Sequence, residues 1–199
     1  MPAFYASILT LWAVIVLIGS LVLGKSVLTL VAMLRQPLIL AFTTASSEAA
    51  YPKTMEQVEQ FGAPNKVASF VLPLGYSFNL DGSMMYTTFA TLFIAQVYGI
   101  EMSLGQQFLM LLMLMVTSKG IAGVPRASLV VITATLAHFN IPEAGVLLIL
   151  GVDHFLDMAR SATNVLGNGV ATAVVAKWEA VLNRPDAYSA QTHKEARSH

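Results

Sequence analysis

Apolar runs near 3–24, 26–43, 67–98, 104–117, 127–139 and 144–176 take up most of this 199-residue chain. Their unequal lengths constrain the fold more than any other feature. A helix needs about 20 consecutive apolar residues to cross the hydrocarbon core of a bilayer. The runs 104–117 and 127–139 are too short for that, so they read as half-helices that enter and turn back. Between them lies "TSKGIAGVPRAS", whose glycines and Pro125 do not continue a helix and whose backbone at membrane depth needs protein or water partners. The run 26–43 breaks in the same way at "TTASSEAAYP", a small polar tip closed by Pro52.

Composition agrees with a lipid setting. Hydrophobic residues make up 56% of the chain and charged residues 11%, against about a quarter charged in soluble domains. Formal net charge is zero and no basic run is present, which argues against nucleic acid as a partner. Cysteine is absent, excluding disulfide scaffolds and thiolate metal sites. The opening "MPAFYASILTLWAVIVLIGSLVLGK" has neither a positive n-region nor an A-x-A-like cleavage site, so it reads as a spanning helix and not as a signal peptide.

The fold expected is therefore an all-α membrane protein of spanning helices and two re-entrant helical hairpins. The segments are a spanning helix over 3–24, a hairpin over 26–64, a broken spanning helix over 67–98, a second hairpin over 104–141 and a spanning helix over 144–178. A polar tail over 179–199 is expected to be disordered. With this counting Lys25, Lys53, Lys66, Lys177, Arg184, Lys194 and Arg197 fall on one side of the membrane, while "GIEMS" and "FNIPEAG" on the other carry no Lys or Arg. That is the positive-inside pattern, and it places the tail in the cytoplasm of a cell with this protein in its inner or plasma membrane. Residues 26–98 give a broken hairpin with a serine-rich tip and then a helix interrupted by "NLDGS", and residues 104–176 a broken hairpin with a glycine-rich tip and then a helix carrying "DMARSATN", the two halves entered from opposite sides. Inverted, interrupted repeats with polar tips near the midplane are the signature of secondary transporters.

The stretch "DHFLDMARSATNVLGN", 153–168, places charge in this apolar setting. At about 100° per residue, Asp153, Asp157, Arg160, Asn164 and Asn168 lie within roughly 80° of one another on a helix. Ionisable groups in a membrane are costly and seldom lack a function. The plainer reading is that Asp157 and Arg160, three apart, neutralise each other as a buried pair, although that leaves the asparagines unexplained. In "YSFNLDGSMMY", Gly82 and the turn-prone Asn79–Asp81 interrupt a helix and free backbone carbonyls. With the Asp81 carboxylate and the Asn79 amide these offer an all-oxygen site for a hard cation; a simple kink with a hydrogen-bonded asparagine is the alternative.

In order, "AFTTASSEAAYP", "NLDGS", "SKGIAGVP" and "DMARSATNVLGNGVATAVVAKWE" resemble the dicarboxylate/amino acid:cation symporters, the family of bacterial glutamate/aspartate and C4-dicarboxylate symporters and of excitatory amino acid transporters. The resemblance covers nearly the whole chain. It implies an elevator mechanism in a homotrimer, with substrate held between two hairpin tips at Ser46–Ser47 and at Gly120–Pro125, and sodium ions or protons as coupling ions with no organic cofactor. Carried over by residue, Arg160 clamps the distal carboxylate of the substrate and Asp157 takes its α-ammonium group. Asn164 and Ser83 serve the α-carboxylate, Ser161 stands where threonine is frequent, and Ser46, Ser47, Gly123 and Val124 line the tips. Gly75, Ser77, Asn79, Asp81, Asn164 and Asn168 contribute to cation sites, together with carbonyls of Ser118, Lys119 and Ile121.

Some positions depart from the family pattern. Asn168 stands where some sodium-coupled members have a ligating aspartate, which leaves proton coupling open, with Glu48 either a proton carrier or simply a surface residue at the hairpin mouth. Ala45 replaces an arginine of some relatives. Arg126 and Lys119 add charge that would attract anionic substrate or snorkel to water. Asp157 favours glutamate or aspartate, because a buried carboxylate repels a dianion; "GYSFNLDG" and "GNGVATAVVAKW" also resemble the C4-dicarboxylate branch, so succinate, fumarate or malate is the alternative substrate. An intramembrane aspartyl protease pairing Asp81 with Asp153 or Asp157 is more remote: no G-x-G-D motif is present, and an arginine three residues away opposes the raised pKa such an enzyme needs. A passive channel fits two closed tips less well than a carrier. The four histidines, His138, His154, His193 and His199, lack metal-ligand spacing. Relatives carry further helices upstream, including most of a trimerisation scaffold, so the chain is expected to hold a C-terminal part.

Overall fold

A computed structural model describes residues 2–118 and 125–182, and these contain helices and turns without a β-strand. The elements are α1 (Pro2–Leu23), α2 (Ser26–Met33), α3 (Arg35–Thr44), α4 (Tyr51–Phe61), α5 (Asn65–Phe78), α6 (Asp81–Val97), α7 (Leu104–Thr117), α8 (Ala127–His138), a 3-10 turn (Glu143–Gly145) and α9 (Val146–Trp178). The all-helical class read from the apolar runs is what the chain adopts.

Local sequence accounts for most of the ends. Pro2 opens α1, where its missing N–H costs nothing. Gly24 ends it at φ 63°, with its N–H 2.9 Å from the Ser20 carbonyl. Ser103 and Gln106 cap α7 reciprocally in a capping box. Helices α2 and α3 bend by 45° at Leu34 and together are long and apolar enough to cross a membrane; among the described residues α1 is the one helix that is so by itself. The tip after α3 turns through Ala45 in the left-handed region.

The chain breaks between α5 and α6. Asn79 and Leu80 leave helical geometry with ψ near 64° and 62°, and the next helix begins at Asp81 without a capping side chain of its own. By contrast α9 runs unbroken for 33 residues, about 50 Å at the usual rise. The second half therefore has no counterpart of the Asn79–Leu80 break.

Helix α9 is the axis on which the rest packs. Its C-terminal half, from Ala162 through Val165, Leu166 and Val170 to Ala176, joins a core with Leu30, Leu34 and Leu38 along α2 and α3 and Leu72 of α5. Its N-terminal half, through Ile149, Leu156 and Ala159, joins a second core with Phe4, Ile8, Tyr86, Ile94, Ile132 and Leu136. The two cores meet at 157–164, where α9 is polar. The outer surface is the reverse: Leu17, Leu21, Phe70, Leu104, Phe108 and Val116 are exposed, an apolar outside around a polar interior, as lipid or further protein at the surface requires.

Candidate functional site

Asp153, Asp157, Arg160, Ser161, Asn164 and Asn168 are all buried on α9. Asp157 and Arg160 form an ion pair through Oδ1 and Nε, one helical turn apart. The guanidinium also meets two hydroxyls: Nη1 lies 3.3 Å from Ser83 Oγ and Nη2 3.2 Å from Ser161 Oγ. Desolvating two charges is unfavourable unless geometry and further hydrogen bonds compensate, and here both ions have additional partners. Asp157 Oδ2 accepts a 2.8 Å hydrogen bond from the main-chain N–H of Arg126, at the start of α8.

Asn164 brings α6 into the site. Its Oδ1 accepts from the N–H groups of Gly82 at 2.9 Å and Ser83 at 3.3 Å, while its Nδ2 donates to Ser83 Oγ at 3.2 Å. Leu80, at the N-cap of α6, offers no side-chain acceptor. A residue 82 positions away on another helix thus supplies the cap that the local sequence lacks. Breaking the helix at Asn79–Leu80 leaves free amides, and Asn164 is where they go.

A second cluster forms beside the break. Asn79 Nδ2 donates to Asn168 Oδ1 at 3.0 Å, and Asn168 Nδ2 is buried without a hydrogen-bond partner. Two glycines permit the approach: a Cβ at Gly75 would lie 2.5 Å from Asn168 Oδ1, and one at Gly167 would lie 2.5 Å from Asp81 Oδ2. Asp81, Asn79, Asn168 and the Gly75 backbone are brought together, an oxygen-rich patch with one carboxylate. No group of three or more His, Cys, Asp or Glu that could hold a metal ion gathers among the described residues, so a cation there would rely on the single Asp81 carboxylate and neutral oxygens. Ser77 is exposed and turns its hydroxyl to its own helix, 3.2 Å from the Pro73 carbonyl. Ser118 is buried with Oγ 3.3 Å from Met84 Sδ.

At the first tip Ser46 Oγ accepts from the Ala49 N–H at 3.3 Å, while Ser47 Oγ is buried with no hydrogen-bond partner among the described residues. Lys119, Ile121, Gly123 and Val124 lie outside the described residues.

Three participants were not singled out as site residues from sequence. Tyr86 donates to Asp153 Oδ1; its signal was its place three residues after Ser83 on the face of α6 that carries Thr87, Ala90 and Ile94 inward. Asp153 was placed on the polar stripe without a role. Ser128, at the start of α8, is buried with an unpartnered Oγ like Ser47, and nothing in its local sequence marks it. His154, beside the stripe, is exposed.

A helical chain with an apolar exterior, a helix broken in its apolar stretch and buried charges against that break belongs to the class of integral membrane proteins with an internal polar site. Residues 1–178 match the model of the sodium:dicarboxylate symporter family, and the chain belongs to that family. It is 53% identical over 160 residues to a proton/sodium-glutamate symport protein of Geobacillus stearothermophilus, covering 80% of this chain and 38% of that protein. It is 54% identical over 164 residues to a proton/glutamate-aspartate symporter of Escherichia coli K12, covering 82% and 38%. A C4-dicarboxylate transport protein of Cupriavidus taiwanensis is 45% identical over 174 residues, covering 86% and 40%. The chain spans about two-fifths of the length of these relatives.

Proposed function

We propose that this chain forms the substrate-binding part of a secondary carrier that moves an acidic amino acid, glutamate or aspartate, together with sodium ions or protons. The observation that carries the reading is the buried Asp157–Arg160 pair, flanked by the hydroxyls of Ser83 and Ser161 and by the Arg126 main-chain N–H. A zwitterion with a second carboxylate matches both ions at once. Its ammonium group replaces Arg160 beside Asp157, its distal carboxylate receives the planar fork of Arg160, and no charge is left alone. Asn164, Ser83 and Ser161 then orient the α-carboxylate. Ser46 and Ser47 approach from one hairpin, and Gly123 and Val124 from the other. The unpartnered hydroxyl of Ser47 supports a ligand at the first tip.

Coupling ions would sit at the α5–α6 break, on oxygens from Gly75, Ser77, Asn79, Asp81, Asn164 and Asn168 and on carbonyls of Ser118, Lys119 and Ile121. The two hairpins would be re-entrant, the tail cytoplasmic, and the complete carrier a homotrimer working by an elevator motion in the cell membrane. A C4-dicarboxylate substrate is the second reading, favoured by the identity to the Cupriavidus protein. The test is uptake of labelled L-aspartate and labelled succinate into proteoliposomes containing the complete protein, with and without a sodium gradient and at two external pH values, repeated with Asp157→Ser. Aspartate accumulation abolished by the substitution upholds the ammonium-binding role. Succinate uptake that survives it assigns the protein to dicarboxylates.

A further inference from the structure

Arg126 stands at φ 65°, in the left-handed region that non-glycine residues seldom occupy. Two contacts to α9 hold it there. Its main-chain N–H reaches Asp157 Oδ2, and its guanidinium Nε lies 3.4 Å from Asp153 Oδ2. The two aspartates are one turn apart, both fully buried, and Asp153 has Tyr86 as its other partner. Arg126 therefore bridges like charges four residues apart on one helix face, where alone they would repel. Ion pairing joins Asp153 to Arg126 and Asp157 to Arg160, two negative and two positive groups in all. Three are buried; the Arg126 side chain is 61% exposed, at the open end of the seam.

We infer that the Arg126–Asp153 pair determines specificity by setting the net charge against which an anionic substrate binds. Resting on the carrier reading above, this gives the pair a role that needs no contact with substrate. With both members present the seam is balanced, and an acidic amino acid with one net negative charge enters a neutral site. Removing the guanidinium leaves Asp153 with a phenol only, a negative field that penalises a dianion about twice as much as a monoanion. Removing the Asp153 charge leaves Arg126 unbalanced, which favours the dianion. Under partial solvent screening, one unit charge close to a bound anion corresponds to roughly a three- to tenfold change in affinity per substrate charge.

The experiment is competition of unlabelled L-aspartate and succinate against labelled L-aspartate uptake by the complete protein, in the wild type, Arg126→Gly, Asp153→Asn and the double variant. Glycine suits the left-handed backbone and keeps the main-chain N–H on Asp157, so this variant removes charge without disturbing the turn. The affinity for succinate relative to aspartate should fall roughly three- to tenfold in Arg126→Gly, rise by a similar factor in Asp153→Asn, and return to within about twofold of the wild-type ratio when both charges are gone. Arg126→Lys should keep the wild-type ratio. A ratio that stays fixed in both single variants while overall uptake falls would show a purely structural tie and overturn the inference. Should the wild type take up neither substrate, the carrier reading fails first and the inference falls with it; wild-type uptake with unmoved ratios sinks the inference alone.

Discussion

Arg160 heads the largest side chains that are wholly buried among the described residues, and its charge is tolerable there because its guanidinium meets the Asp157 carboxylate and the hydroxyls of Ser83 and Ser161. That dependence can be measured. Replacing Asp157 by Asn leaves a buried cation with neutral partners, a change that costs about 3–5 kcal/mol in other proteins. Thermal unfolding of the purified protein in detergent should therefore show a large drop for Asp157→Asn, and a smaller one when Arg160→Gln is added. Additive losses in the double variant would contradict the pairing. Asn164→Ala is a second case at this scale: it uncaps α6 and should cost about 1–2 kcal/mol, together with Ser83 losing a donor. Arg160 was legible in sequence as a charge in an apolar run. The capping role of Asn164 was not, because capping rules look two or three residues along the chain and this cap comes from a different helix.

The break between α5 and α6 was readable from the "NLDG" turn chemistry. What sequence did not reveal was the reason Gly75 and Gly167 are glycines, which is visible only once α5 and α6 pack on α9. Gly167→Ala would drive a methyl group to within 2.5 Å of Asp81 Oδ2. Overpacking of this kind costs about 1–3 kcal/mol, so the Asp81 carboxylate should be displaced and the cation concentration for half-maximal uptake should rise by about tenfold or more. Gly151→Ala on the same helix meets open space and should leave cation dependence unchanged while adding up to about 1 kcal/mol of helix propensity. Equal responses to the two substitutions would separate Asp81 from cation binding. Tyr86 was hidden for a related reason: a tyrosine in an apolar helix reads as packing until the carboxylate it meets on another helix is known.

For the whole molecule, two tracks of similar length bear on which ends share a side. Helix α9 spans about 50 Å from Val146 to Trp178, and α5 with α6 covers 33 residues from Asn65 to Val97, each longer than a hydrocarbon core of about 30 Å. Lys66 lies at one end of the first track and Lys177 at one end of the second, and Lys25 follows α1. Opposite them are the Ser103 cap and the Glu143–Gly145 turn, around which no Lys or Arg occurs. If the intervening hairpins re-enter, Lys25, Lys66 and Lys177 share one compartment; if α7 and α8 together made a single crossing, Lys177 would be parted from Lys66. This chain has no cysteine, so single cysteines introduced at Lys66, Ser103, Glu143 or Lys177 supply its sole thiol. A membrane-impermeant maleimide applied to intact cells producing the complete protein, freed of any cysteine elsewhere, should label the Ser103 and Glu143 variants. It should reach the Lys66 and Lys177 variants only after permeabilisation. Labelling of Lys177 but not Lys66 in intact cells would make the two short helices one crossing in place of a hairpin and dissolve the inverted repeat.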